Sequence, residues 1–368
     1  MRIAYVHQIF SLQKFGGISR YFIELAKNMS TASEDTALAK FFAPFHKNDY
    51  LEYNHQNLSF SGIKVPDIRG SGRFCHAINS FLTPFFYNNF DPDLIHHTYF
   101  ACSNWKSSRA KKVITVHDMI DELFPKQFTN IDKALEAKKI AITEADHVIC
   151  ISENTQKDLV NILGIDIEKT SVVHLGVSLL TKNVIFTELV DRPYLLYVGS
   201  RDGYKNFSGF LKAYSNSPHI KNSFNLVAFG GGAFRPEEFA TFERLNISTE
   251  SVKQVSGNDA LLAGYYRNAS LFVYPSLYEG FGIPPLEAMS YGCPVACSNS
   301  SSIPEIVGNA ATLFDPFSVE SMRNCVEEVL FDNDIRSTLV TKGFERIKLF
   351  SWEKCARETH EVYKQVLQ

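Results

Sequence analysis

The chain has 368 residues, 45% of them hydrophobic, which suits two cores rather than one and excludes whole-chain disorder. Its formal charge of -3 argues against a nucleic-acid binder, which would carry a basic excess. Seven cysteines without a C-x-x-C pair read as buried free thiols of a reducing cytoplasm. The opening MRIAYVHQIF lacks the shape of a signal peptide, and no stretch reaches the ~18 apolar residues of a membrane span.

In chain order, Arg2 to Val6 is the core of a first buried strand. A loop with Gly16-Gly17 follows, then a helix from Ser19 to Met29 whose Tyr21, Phe22, Leu25, Ala26 and Met29 keep helical spacing. This βα unit puts the glycines near a strand's carboxyl end, where open α/β sheets bind ligands. Residues 30 to 70 are polar and aromatic without a clear period. From 73 to 90, Phe74, Ile78, Phe81, Leu82, Phe85 and Phe86 again follow helical spacing, with a break expected at Pro84. Two readings stand for this helix. It packs its aromatic side on the first core, or it lies on a membrane with Arg69 and Arg73 near headgroups.

Asp91-Pro92-Asp93 has the D-x-D spacing of a metal motif, but it opens a strand, Leu94 to His97, and no metal is assigned to it. Lys111 to Val116 is a further strand, ending at His117-Asp118 where ligands bind. Residues 145 to 159 give strand, cap and helix, with Ser152 as the N-cap. VVHLGV, 172 to 177, closes the first domain, and 178 to 193 read as linker.

The second domain opens with the strand Pro193 to Val198 and continues GSRDGYKN. Arg201 and Lys205 bracket a short glycine-containing turn. They are either exposed surface cations or the planar fork and point charge that suit a diphosphate. Leu226 to Phe229 is a strand followed by three glycines. A dinucleotide fingerprint would need glycine where Arg235 stands, so no NAD site is expected. Ser251 to Ser256 is a short strand, and Leu261 to Ala269 a helix.

Residues 271 to 298, LFVYPSLYEGFGIPPLEAMSYGCPVACS, organise the rest. A strand, Leu271 to Tyr274, stops at Pro275-Ser276. Glu279-Gly280-Phe281-Gly282 follow, and the two glycines let backbone approach a ligand. Pro284 and Pro285 suit a helix's first turn, and the helix ends near Gly292. The amides of this loop and the positive helix end form an anion site. One carboxylate, Glu279, precedes the helix; the other, Glu287, lies inside it.

The string SLYEGFGIPPLEAMSYGCPV, with glutamates eight apart, resembles the E-x7-E motif of retaining glycosyltransferases of family 4. FGGISRYF is similar to that family's N-terminal glycine loop, with Ser19 departing from a common glycine and Ser178 from a common aspartate. The resemblance extends over nearly the whole chain and is weakest at 30 to 90. It implies the α/β GT-B fold, two Rossmann-like domains facing across a cleft. The acceptor-side domain would be 1–180 with a C-terminal helix, 352–368, packing back, and the nucleotide-sugar domain 181–351.

The resemblance also implies roles. Gly16, Gly17, Arg201, Lys205 and the loop Gly280, Phe281, Gly282, Ile283 would lie against the donor phosphates. His117 would reach the sugar hydroxyls, Ser256 the region of the base, Glu279 the sugar ring and Glu287 the ribose. His117, Arg201, Lys205 and Glu279 would carry catalysis, with the leaving phosphate accepting the acceptor's proton. No metal or other cofactor is expected. HDMI-x-ELFP, YVGSR and FGGISRY look most like bacterial mannosyltransferases of surface polysaccharide assembly. That implies GDP-mannose as donor, with a UDP-sugar as the alternative, and a saccharide or lipid-linked saccharide as acceptor. The setting would be cytoplasmic, at the inner face of the membrane, with peripheral membrane association and no nucleic acid. A sugar-nucleotide epimerase of the same fold and a non-catalytic relic are the other readings.

Overall fold

The computed structural model describes residues 1–32, 37–52, 59–68, 70–100, 109–129, 131–178 and 192–368. The chain divides into two compact units, Met1–Gly176 with Ser351–Gln368, and Val177–Phe350. Most of the linker read at 178–193, and with it the expected boundary at 180/181, lies outside the described residues, as does Arg69.

The first unit contains, in order, β1 (Arg2–Val6), α1 (Gln8–Leu12), α2 (Gly17–Ala32), β2 (Leu38–His46), β3 (Ser59–Lys64), α3 (Ser71–Phe90), β4 (Leu94–His97), β5 (Lys111–Val116), α4 (Ile120–Leu123), α5 (Asp132–Glu144), β6 (His147–Cys150), α6 (Glu153–Leu163) and β7 (Thr170–Val172). Its strands pair in parallel in the order β3-β2-β1-β4-β5-β6-β7. Helices cover both faces, so strand residues such as Ile3 to Val6 are wholly buried and read as continuous apolar runs. Strand order reverses between β1 and β4, the switch point where such sheets bind ligands. Ser152 caps α6, accepting the Thr155 N–H at 3.0 Å. The carboxylates of Asp91 and Asp93 are engaged by Arg2, at 2.9 Å from Nη2 and 2.7 Å from the backbone N–H.

Helix α3 corrects two expectations. It runs unbroken through Pro84, and its core-facing side is polar. Asn79 takes both backbone groups of Phe45, at 2.9 Å and 2.6 Å, and donates to Ser11 Oγ at 3.0 Å. Thr83 bonds the Asn79 carbonyl and His7 Nδ1. These buried hydrogen bonds in the turn just before the proline offset the one it removes. Phe74, Phe81 and Phe85, seven and four residues apart, share the opposite face and are 66%, 71% and 61% exposed. They are therefore outside the core that their spacing suggested.

The second unit contains β8 (Tyr194–Val198), α7 (Phe207–Ser215), α8 (Pro218–Ser223), β9 (Asn225–Phe229), α9 (Pro236–Arg244), β10 (Val252–Val255), α10 (Asp259–Asn268), β11 (Leu271–Tyr274), α11 (Ile283–Ser290), β12 (Val295–Ser298), α12 (Ile303–Val307), β13 (Thr312–Phe314), α13 (Val319–Phe331) and α14 (Asn333–Ile347). Its parallel order is β10-β9-β8-β11-β12-β13, with the switch point between β8 and β11. Tyr197, Phe207, Phe210, Tyr214, Leu226 and Val326 are central to one core between sheet and helices. Strand β12 starts at Val295, after Gly292 at φ +72 and the Cys293 N–H bond to the Ala288 carbonyl have completed the helix end.

The last helix, α15 (Trp352–Leu367), belongs to the first unit and packs on α2. Its buried Tyr363 hydroxyl bonds His96 Nδ1 at 2.5 Å, and His96 Nε2 bonds Thr115 at 2.9 Å. The six described cysteines are buried and unpaired, and burial pushes the Cys150, Cys325 and Cys355 thiols up to about 12. Cys102 lies outside the described residues. Among the described residues no helix is long and apolar enough to cross a membrane.

Candidate active site

The chemistry-bearing loops of the second unit meet at its switch point. After β8 the chain passes Arg201 and Lys205; after β11 it passes Glu279 on the way to α11. Two bonds stitch these loops together: Leu277 N–H to the Tyr204 carbonyl at 2.7 Å, and Asn206 Nδ2 to the Pro275 carbonyl at 3.1 Å. Asn206 adopts φ +55, a left-handed turn that asparagine tolerates, and it ends the loop at the start of α7.

Lys205 and Glu279, separate in the sequence reading, form one pair with Nζ to Oε1 at 2.7 Å. The Lys205 ammonium also lies 5.1 Å and 5.9 Å from the ring centroids of Tyr204 and Tyr274. Burial, then the charge and hydrogen bond of Glu279, hold the Tyr274 hydroxyl well above its usual range, so it stays protonated beside the carboxylate. An ammonium over aromatic faces, joined to a carboxylate at a sheet's carboxyl edge, can bind both an anion and a sugar hydroxyl.

Arg201 is not the exposed cation of a surface loop. Its side chain is 2% exposed. The Glu238 carboxylate accepts its Nε–H at 2.6 Å, and the Gly230 and Ala233 carbonyls take further N–H groups at 2.9 Å and 3.1 Å. The loop Gly230–Gly232 bends around the guanidinium with φ of +90, +69 and +72. A Cβ on Gly231 would stand 2.6 Å from Arg201 Nη1. That explains glycines without a dinucleotide fingerprint. Sequence reasoning missed Glu238. Its only signal was a glutamate three residues into a proline-led helix start, where capping boxes occur.

A second missed feature is the serine run 298 to 302, which clasps the Glu279 loop. Ser298 and Ser300 donate to the Ser276 and Leu277 carbonyls, both at 2.6 Å. Ser301 Oγ accepts the Glu279 N–H at 2.9 Å, and Ser302 Oγ contacts the Glu279 and Phe281 carbonyls at 2.8 Å and 2.9 Å. Four residues of the loop, Ser276, Leu277, Glu279 and Phe281, thus have backbone groups fixed by side chains, which holds the carboxylate's base rigid. The Glu279 amide is consumed by this clasp and is not an anion donor. Phe281 faces the core, edge-on to Phe350 at 5.8 Å, so its ring is an anchor of the loop. Gly282 at φ +109 leads into α11, placing the half-buried Ile283 at the helix start. Gly280 is buried in the same loop.

Glu287, one turn into α11, is 8% exposed and accepts from the Tyr266 hydroxyl at 3.2 Å. Burial first, and the Glu287 charge second, raise that hydroxyl far above its usual range. Ser256 is exposed just beyond β10, where Gln254 Nε2 reaches its Oγ at 2.8 Å.

In the first unit His117 follows β5. Its ring meets Tyr21 of α2 edge-on at 5.2 Å, one turn beyond Gly16 and Gly17. Between the glycines and β1 stands α1, so they lie farther from the strand end than expected. Gly16 Cα has Gln13 close by, while a side chain at Gly17 would meet open space. The His117 Nε2 is buried with no partner among the described residues. Burial, and then the nearby charge of Lys138, lower its pKa to about 3, so the ring is neutral. Lys138, unmarked in the sequence reading, is 3% exposed and donates to the Asp118 carbonyl at 2.8 Å and Glu122 Oε2 at 2.9 Å. It ties down the segment that carries His117. Among the described residues no cluster of three or more His, Cys, Asp or Glu could hold a metal ion.

Family models match both halves of the chain: "Glycosyltransferase Family 4" over residues 15–179 and "Glycosyl transferases group 1" over 182–346. The O-antigen chain mannosyltransferase B of Escherichia coli is 28% identical over 95% of this chain and 96% of its own. Among solved structures, the sucrose-phosphate synthase of Thermosynechococcus elongatus superposes with a TM-score of 0.78 at 20% identity, over 99% of this chain and 98% of that one. Anabaena HepE, solved in complex with UDP-glucose, gives 0.75 at 18% identity, over 99% and 100%. With two parallel-sheet Rossmann-like units, each matched by a model of this kind, the chain belongs to the family 4 glycosyltransferases of GT-B fold.

Proposed function

We propose that this glycosyltransferase moves a mannosyl unit from GDP-mannose to a saccharide acceptor, with retention at the anomeric carbon and without a metal ion. The observation that carries the proposal is the Lys205–Glu279 pair beside Arg201 at the switch point of the second unit. A diphosphate leaving group needs fixed positive charge where its negative charge grows, and Arg201 and Lys205 supply it in place of a divalent cation. Glu279 takes sugar hydroxyls at the reacting ring and Glu287 takes the ribose. Neutral His117 offers a hydrogen bond without a competing charge. The departing phosphate accepts the proton of the attacking hydroxyl, so no separate general base is required. The mannosyl assignment follows the Escherichia coli relative and the family motifs.

The acceptor in this reading is a lipid-linked saccharide of bacterial surface polysaccharide synthesis, met at the cytoplasmic face of the membrane. The exposed row Phe74, Phe81, Phe85 on α3 supports it, since it offers an apolar face beside Arg73 for peripheral attachment.

The test incubates the protein with GDP-mannose and UDP-hexoses, with and without lipid-linked saccharide, in excess EDTA. The proposal expects nucleoside diphosphate release only from GDP-mannose, only with acceptor, and undiminished by EDTA. Release from a UDP-sugar alone would replace the donor. Release without acceptor would favour an epimerase or hydrolase. Loss in EDTA restored by manganese would refute metal independence. Nucleotide binding with no turnover would favour a relic.

A further inference from the structure

Glu238 is the ion-pair partner of Arg201, and the geometry gives it a larger part. Its carboxylate takes the Arg201 Nε–H at 2.6 Å and an Nη2–H at 3.2 Å. The Gly230 and Ala233 carbonyls take one N–H each from Nη1 and Nη2. A guanidinium has five N–H groups, so among the described residues these four bonds leave one, on Nη1. The Phe234 ring, centred 4.7 Å from Cζ, covers a face of the guanidinium. The side chain therefore has one orientation and one free edge.

We infer that Glu238 is a positioning residue for donor diphosphate binding: it fixes the plane of Arg201 so that the remaining Nη1 N–H and the cation meet the phosphates. The inference rests on the donor reading above and adds to it the group that makes Arg201 competent.

Glu238 is itself held. It stands in the first turn of α9, where Oε2 accepts the Arg235 N–H at 2.9 Å. The Arg235 guanidinium reaches Asp202, the neighbour of Arg201, at 2.5 Å. The start of α9 and the loop after β8 thus close a ring of two cations and two carboxylates. Burial alone would push the Glu238 carboxyl up, but the hydrogen bonds and charges of Arg201 and Arg235 bring it below its usual range, so the counter-charge persists at neutral pH. A buried guanidinium without that counter-charge would turn toward water or its own backbone carbonyls, away from a ligand.

The opposite role is physically distinct. Glu238 would then mask Arg201, competing with phosphate for the same N–H groups. Calorimetric titration with paired ligands separates the two: guanosine against GDP, and uridine against UDP. The ratio of nucleoside to diphosphate Kd isolates the contribution of the phosphates. In Glu238→Gln the positioning role lowers that ratio about tenfold or more, because an ion-pair hydrogen bond that orients a charged group is lost. Nucleoside affinity stays within about twofold, within the error of independent sites. Glu238→Asp keeps the charge one methylene farther back and gives a smaller fall, so it carries the test should Glu238→Gln not fold.

An unchanged ratio overturns the inference, and a raised ratio overturns it in favour of masking. Equal losses for nucleoside and diphosphate overturn it in favour of a purely structural role. A wild-type protein whose diphosphates bind no better than nucleosides refutes the donor reading itself, and the positioning role with it.

Discussion

Replacing Lys205 by methionine removes a charge while keeping most of the side chain's length. The Nζ to Oε1 distance of 2.7 Å marks a charge-assisted bond, and the two side chains are 20% and 10% exposed. Such bonds contribute about 1.5–3 kcal/mol when desolvated, and partial exposure places this one near 1–2 kcal/mol. The loss also strands a carboxylate that the serine clasp does not allow to swing away. For a unit of this size, Lys205→Met should then lower the melting temperature by about 2–8 °C. Turnover should fall more, about 100-fold or beyond, because in the proposed mechanism the same ammonium faces the leaving group.

The decisive version is a double-mutant cycle. Lys205→Met, Glu279→Gln and the double variant are compared by differential scanning calorimetry and by donor turnover. The double variant should lose roughly 1–2 kcal/mol less stability than the two singles summed, since each single already breaks the pair. Strict additivity, within about 0.3 kcal/mol, would show that the two residues do not act as one unit and would refute the reasoning.

The two glutamates should part in their effects. Glu287→Gln weakens GDP binding about tenfold in calorimetry, whereas Glu279→Gln leaves GDP affinity nearly intact and lowers kcat; reversed effects would exchange their roles. Acid stability has a defined sign. His7 and His96 are fully buried, and burial takes His7 to about 3 and His96 well below its usual range. The unfolded chain binds these protons below about pH 6.5 and the folded one does not. Stability is therefore flat from this source above that pH. Below it, stability falls by as much as roughly 3 kcal/mol per pH unit for the two, and thermal melts from pH 7.5 to 5 should show a lower melting point toward acid. A melting point that holds or rises over that range would contradict neutral burial. On α3, Phe81→Ser with Phe85→Ser should abolish flotation with anionic liposomes at low salt without lowering the melting point, since neither ring is in the core; unchanged flotation would remove the membrane reading.

Much of the site was legible because its signals are local. Arg201 and Lys205 bracket one turn after a strand, and Glu279 and Glu287 straddle one helix start, so the apolar strand runs with their glycines and prolines placed the first three in loops beyond strand ends and Glu287 in the helix. What sequence could not show was tertiary pairing. Lys205 finds Glu279 across 74 residues, and Arg201 finds Glu238 across 37; no local pattern marks either. The serine run was visible as composition, but its purpose appears only where β12 ends beside β11. Helix α3 misled for a related reason. Its phenylalanines have perfect helical spacing, but periodicity says that a face is apolar and not which way it turns. Asn79 and Thr83 decided that by bonding Phe45, Ser11 and His7.

The most direct test of the central claim is hydrogen exchange of the whole chain with and without saturating GDP, read by mass spectrometry peptide by peptide. The account predicts protection confined in the second unit to the loops 199–206, 230–238, 254–257 and 275–287, with no change at the far ends of the same strands. Tight GDP binding that leaves those segments unprotected, or that protects others instead, would contradict it.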